Sequence, residues 1–230
     1  MEKQVDIVEK HRTILVDWMA EVAVKFRLLT ETFFLSINIV DRFLQYKAVA
    51  RQKLQLVGIT AMLIASKFEE IYTPEVRDFI WITAKAYTRE EMLKMERMIL
   101  VALNFNMSTP TPLHFLRRFS KAARSDSKIH TLSKYITELS LLEYKMLNYL
   151  PSMIASASVY ISRKMCGITP LWNSTLEYHT RFTEDEIMAC VSDLNSVLKK
   201  QSTSKYRAIY KKYSSPKLLS VATIPCCEDL

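Results

Sequence analysis

The sequence predicts an all-α fold made of two tandem five-helix repeats followed by a C-terminal extension. Three observations carry that prediction. Apolar residues recur at spacings of three and four along most of the chain, the period of a helix with one buried face. Glycine occurs only at Gly58 and Gly167, and prolines sit at segment borders, where they delimit helices. The same landmarks then appear twice, about 95 residues apart.

The periodicity places helices at roughly 10–26, 30–46, 51–69, 75–81 and 88–103, then a break at NMSTPTP around Pro110 and Pro112. A second set follows at roughly 112–124, 129–143, 151–165, 172–179 and 183–198. The first helix carries Ile14, Leu15 and Trp18 on one face. The third is apolar throughout: no charge occurs from Leu54 to Ser66, and the segment LQLVGITAMLIASKFEEIYTP ends in Thr-Pro. LPSMIASASVYISRKMCGITP, from Leu150 to Pro170, is an equally long apolar segment with the same ending. The fifth and tenth helices open on YTREEML and FTEDEIM, where Thr88 with Glu91 and Thr183 with Glu186 have capping-box spacing. Each box follows its Thr-Pro by about fourteen residues, which argues for a duplicated unit. The expected division is 1–108, 109–198 and a basic extension over 199–230.

Composition narrows the function. With 230 residues, 49% of them hydrophobic, the chain can bury a substantial core. Two glycines leave no room for a phosphate-cradling Gly-rich loop, so a nucleotide enzyme is not expected. Cys166, Cys190, Cys226 and Cys227 form no CxxC pattern, so reduced thiols are expected and neither a zinc ribbon nor a redox motif is indicated. No cofactor or metal is expected. His11, His114, His130 and His179 are scattered and define no catalytic constellation. The apolar runs are too short and interrupted to span a bilayer, and MEKQVDIVEK lacks a signal-peptide core, so no membrane partner is expected. The net charge of +8 is uneven. Residues 1–108 hold fifteen Lys and Arg against fourteen acids, whereas residues 199–217 carry cations and no acid. That late segment is expected to pack loosely, although Tyr206, Ile209, Tyr210 and Tyr213 could lay one side back on the second repeat.

One residue resists a purely structural reading. Lys67 sits in the last turn of the apolar third helix, where an ammonium group needs water or a partner. Glu96, beside the Met95, Ile99 and Leu103 stripe of the fifth helix, can face it across two packed helices. The second repeat has Val191 or Ser192 where Glu96 would be, so the pair belongs to the first repeat alone. Spacing by itself favours the blander view, in which Lys67 snorkels to solvent and Glu96 lies on a solvated face.

HRTILVDWMAEV, FLSINIVDRFL, KLQLVGITAMLIASKFEEIYTPEV and MERMILVALNF resemble the cyclin box. The whole chain is similar to the two-box core of a mitotic cyclin of the A/B type, and PTPLHFLRRFSK tilts it toward the B type. The likeness runs from about Gln4 to about Pro225. The chain starts just before the first box, so the family's N-terminal helix and degradation signal are expected to be absent from it. The resemblance implies a regulatory subunit, not an enzyme, that activates a cyclin-dependent Ser/Thr protein kinase in the nucleus and cytoplasm. Lys67 and Glu96 would contact that kinase beside an apolar surface of Ile64, Phe68, Leu100 and Phe105, gripping its mobile αC helix. It also implies a groove for Arg-x-Leu peptides of substrates and inhibitors. His11, Ile14, Leu15 and Trp18 would form one side and Arg51, Leu54 and Gln55 the other, with Glu21 placed to meet the arginine. The residue-level alternative for Ile14, Leu15 and Trp18 is plain core. The family has methionine where this chain has His11; imidazole carries less apolar surface and titrates near neutral pH, so docking is expected to be weaker or pH-dependent. Arg12 and Asp41 match a family pair that ties the first two helices together.

Two further readings stand beside these. Arg117, Arg118, Lys121 and Arg124 form either a solvated helix face or a patch for phosphate or acidic motifs. A transcription factor of the same duplicated fold, clamping a promoter complex, is the rival function. The near-balanced charge of residues 1–108 argues against it, and no specific nucleic-acid partner is expected.

Overall fold

The computed structural model describes residues 3–201 and 203–226. It divides into two units, Met1–Thr109 and Pro110–Leu230, and the described residues contain no strand.

The first unit is built from α1 (Glu9–Lys25), α2 (Thr30–Tyr46), α3 (Leu54–Glu69), α4 (Val76–Ile82) and α5 (Arg89–Ala102). The uncharged run of the sequence is α3, and it occupies the centre, touching each of the other four helices. Every residue from Leu54 to Ser66 except Gln55 is buried. Gly58 lets α1 come close: a Cβ there would stand 2.7 Å from Leu15 Cδ1 and 3.1 Å from Met19 Sδ. A short 3-10 turn, Arg51–Lys53, precedes α3, so the helix expected over 51–69 starts three residues later in α geometry.

Polar ties fix the helix order. Arg12 is buried and donates Nε and Nη2 to Asp41 at 2.6 and 2.7 Å, a bidentate bond joining α1 to α2. Glu70, just past α3, accepts the Leu29 amide at 2.7 Å and the Thr32 hydroxyl at 2.5 Å, satisfying the open start of α2 from a distant segment. The capping box at α5 is formed: Glu91 N donates to Thr88 Oγ1 at 3.2 Å and Thr88 N to Glu91 Oε2 at 3.0 Å. Glu91 also takes Lys53 Nζ at 2.7 Å, and that bond, with the Thr88 amide, holds its carboxyl below the ordinary range.

The second unit repeats the order with α6 (Pro112–Ala122), α7 (Ser127–Leu139), α8 (Pro151–Met165), α9 (Ser174–Thr180) and α10 (Glu184–Lys200). Here α8 is central, against α6, α7 and α10. The Thr183 and Glu186 box opens α10, with amide bonds of 2.7 and 3.4 Å. Two expected boundaries move. The helix expected over 129–143 ends in α form at Leu139 and continues as 3-10 turns Ser140–Leu142 and Tyr144–Asn148. The helix expected from 172 starts at Ser174 because Asn173 caps it, its side chain accepting the Leu176 amide at 2.9 Å.

The extension is the larger correction. Residues 199–217 were expected to pack loosely, but Ala208–Tyr213 forms α11, which packs on α7. Ile209 and Tyr213 are fully buried there, so the apolar side of the segment outweighs its charge. The cause lies 74 residues upstream. Glu138 of α7, itself buried, accepts Lys212 Nζ at 2.8 and 2.9 Å and the Tyr213 hydroxyl at 2.5 Å. An acid absent from the basic segment is supplied by the core. Cys190 is a buried thiol, and Cys227 lies outside the described residues. Burial pushes the Cys190 thiol up to about 12, which makes it an inert core residue.

Candidate functional site

Lys67 ends α3 and Glu96 stands mid-way along α5, and the contact of these two helices brings them together. Lys67 Nζ donates to Glu96 Oε1 at 2.6 Å. The lysine side chain is 47% exposed and the glutamate 13%, so the pair lies at the boundary between core and solvent. Such a pair contributes little to folding, on the order of 0–1 kcal/mol. It does fix two charges in a defined place.

Apolar side chains neighbour the pair along both segments. Phe68 and Phe105 are exposed, Leu100 is half-buried, and Ile64 is 4% exposed, so Ile64 supports the surface from beneath. Phe105 stands out because α5 ends in two consecutive left-handed residues, Asn104 (φ 50°) and Phe105 (φ 54°), neither of them glycine. The Phe105 amide closes this turn onto Leu100 O at 2.9 Å. Backbone held in that region costs on the order of 1–3 kcal/mol and persists where its surroundings over-determine it. Sequence reasoning missed Ile71 and Tyr72, which are 90% and 92% exposed beyond the end of α3. Their signal was present: an apolar pair directly after two acids and before Thr-Pro has no periodicity to bury it. Also missed is an open cavity of about 540 Å³ beside Lys67, with Pro74, Ile80, Arg77 and Arg89 in its wall.

The equivalent lysine position in the second unit behaves differently. Arg163 of α8 is buried and donates to Ala123 O at 2.9 Å, Pro170 O at 2.7 Å and Leu171 O at 3.0 Å. There the cation is tied to backbone carbonyls. In the first unit it reaches the surface.

A second feature is an open groove of about 340 Å³ between α1 and the start of α3. His11, Ile14, Leu15 and Trp18 line one side and Arg51, Leu54 and Gln55 the other. The structure therefore brings together seven of the eight residues expected there. Glu21 is exposed on α1, three residues past Trp18, and is not among the lining residues. Ile14 is exposed while Leu15 is buried, so the face expected as plain core is split between core and groove. His11 Nδ1 accepts the Val8 amide at 3.2 Å, capping α1, which leaves the ring proton on Nε2.

Arg117, Arg118, Lys121 and Arg124, expected as either a solvated helix face or a patch for phosphate or acidic motifs, have different neighbours. Arg118 points to His179, Nη2 to Nδ1 at 3.2 Å. Arg117 acts instead on His130 and Lys134 of α7. Burial depresses the basicity of His130, and the Lys134 and Arg117 charges add to that. Burial likewise lowers Lys134, with Glu138 opposing and Lys212 and Arg117 reinforcing. Lys121 is exposed on α6, and Arg124 lies beyond it at φ 52°. Spacing could identify the α6 cations but not their α7 partners, which depend on helix pairing. Among the described residues no group of His, Cys, Asp and Glu could hold a metal ion, and no helix is long and apolar enough to cross a membrane.

Two family models match the chain, cyclin N-terminal domain over residues 1–108 and cyclin C-terminal domain over residues 110–227. The chain is 54% identical over 229 residues to a G2/mitotic-specific cyclin-B of Dictyostelium discoideum, covering 99% of this chain and 52% of that protein. It is 47% identical over 222 residues to a G2/mitotic-specific cyclin-B2 of Macaca fascicularis, covering 96% and 56%. The chain thus spans about half the length of the curated relatives it matches. A viral cyclin from herpesvirus saimiri has the same fold, with a TM-score of 0.79 at 21% identity over 91% of both chains.

Proposed function

The chain belongs to the cyclin family, and from that premise we propose that it is a regulatory subunit that binds and activates a cyclin-dependent Ser/Thr protein kinase in cell-cycle control. One observation carries the proposal: a charged pair, Lys67 and Glu96, fixed at the edge of an exposed apolar surface that includes Phe68 and Phe105. Exposed apolar area rimmed by polar groups is what a partner covers. Kinase catalysis needs the αC glutamate paired with the kinase's own lysine, so a surface that holds αC inward raises activity without supplying a catalytic group. Phosphorylation of a histone-type substrate by a purified cyclin-dependent kinase, with and without the chain, tests this. A rise of orders of magnitude supports it, and a kinase equally active alone refutes it.

The groove at His11, Trp18 and Gln55 is the proposed dock for Arg-x-Leu peptides of substrates and inhibitors. Its support is the clustering of apolar and amide side chains around one open cavity. In the second unit, Arg117 with His130 and Lys134 is the proposed contact for acidic or phosphorylated motifs, supported by the half-buried, depressed Lys134 ammonium, which an anion would relieve. Fluorescence anisotropy with one peptide of each kind tests both sites. Nucleus and cytoplasm are the proposed locations, resting on the family likeness alone.

A further inference from the structure

A further concavity lies along the side of α5 opposite to its core-facing residues. It has a volume of about 670 Å³ and is lined by Tyr46 and Lys47 at the end of α2 and by Lys94, Arg97, Met98, Val101 and Ala102 of α5. The five α5 residues have the spacing of one helix face, and it is not the core face. Met92, Met95 and Ile99 are buried, while Lys94, Arg97, Met98 and Val101 are exposed. A surface helix turns mainly polar residues outward, whereas α5 sets Met98 and Val101 side by side on its solvent face, and Tyr46 adds an exposed aromatic at its edge. Lys47, Lys94 and Arg97 stand around these side chains, and among the described residues no carboxylate pairs with any of them. Tyr, Met and Arg are residue types enriched where partners dock.

We propose that this face of α5 is a docking groove for a short acidic segment of a protein partner other than the kinase, one in which two apolar side chains are flanked by carboxylates. The apolar side chains cover Met98 and Val101, and the carboxylates meet Arg97 and the two lysines. Charge complementarity selects the occupant, since Lys47, Lys94 and Arg97 outnumber Glu90, the acid one turn before Lys94, and so repel a basic segment and leave a neutral one without ion pairs. The groove uses residues adjacent to Glu96 and Leu100 but turned to a different side of the helix.

Three fluorescein-labelled twelve-residue peptides test this by anisotropy on the whole chain: two leucines four apart between glutamates, the same with lysine for glutamate, and the same with serine for leucine. The acidic leucine peptide is expected to bind with a Kd in the micromolar range and the other two at least tenfold more weakly. Arg97→Glu and Val101→Asp should each weaken the first peptide about tenfold, with melting temperature and kinase activation unchanged. Equal binding of all three peptides, binding by none, or indifference to both substitutions overturns the proposal. So does displacement of the probe by the kinase or loss of kinase activation in Arg97→Glu, since either assigns the face to the kinase. Self-association of the chain abolished by Arg97→Glu assigns it to a second copy and overturns the proposal equally.

Discussion

At the scale of single residues, the half-exposed Lys67 and the buried Arg163 set the proposed binding role of the first against a folding role for the second. Lys67 is half-exposed with one carboxylate partner, so Lys67→Ala should cost folding under about 1 kcal/mol. In a desolvated interface the same truncation should cost kinase binding about 2 kcal/mol or more. Glu96→Ala should behave alike, and the double substitution should lose less than the sum of the two, measured by titration calorimetry against the kinase. Arg163→Ala should do the reverse, lowering the melting temperature because three carbonyls lose their donor in a buried site. A Lys67→Ala protein that binds kinase normally but melts far lower would make the lysine a structural ion. His11 supplies a second test. His11→Met enlarges the apolar floor of the groove, so an Arg-x-Leu peptide should bind several-fold tighter. Unchanged or weaker binding would show that the imidazole is a favourable contact.

Among the elements, α11 shows what the sequence could and could not disclose. Helix periodicity, the Thr-Pro landmarks and the two capping boxes identified ten helices, because those signals are local. The packing of Ala208–Tyr213 depends on Glu138, 74 residues away from Lys212, and no local pattern announces such a pairing. Lys212→Ala should therefore destabilise the second unit by about 2 kcal/mol or more, well above an exposed lysine, because the Glu138 carboxylate stays buried with less compensation. Limited proteolysis should then cut within 205–217, a stretch resistant in the parent chain. The junction of the 3-10 turn Tyr144–Asn148 with α10 offers a pH test. Asp193 accepts Lys145 Nζ at 2.7 Å and the Tyr149 hydroxyl at 2.5 Å, and these bonds, the lysine first, lower its carboxyl. Its contribution is fully present above the unfolded carboxylate range and is lost as pH falls through the lowered folded value. Asp193→Asn should consequently flatten the acid limb of a stability-versus-pH curve, and an unaltered limb would show that the pair is solvated.

For the molecule as a whole, the legible part was the architecture and the residue types of each surface. The duplication and the central apolar helices follow from spacing, whereas the Lys67–Glu96 pairing, for which spacing alone favoured a solvated lysine, was preferred only through the family resemblance. Less legible were features created by helix pairing, namely the split of the α6 cations between His179 and the α7 cluster, and the outward face of α5. Phe105 belongs between the two, since its residue type could be named but its left-handed presentation could not. Binding of random duplex DNA should be weak with a shallow salt slope, because the first unit's charges nearly balance; a steep slope would favour a nucleic-acid clamp.

The central claim is that the first unit's charged pair and its apolar surroundings engage and activate a kinase. Its most direct measurement is the rate of histone-type phosphorylation by a purified monomeric cyclin-dependent kinase at saturating and limiting chain, wild type against Lys67→Ala with Phe105→Ala. The account predicts activation by orders of magnitude with wild type, and a large rightward shift of the concentration dependence for the double variant at unchanged circular dichroism. Equal activation by both proteins, or none by the wild type, would contradict it.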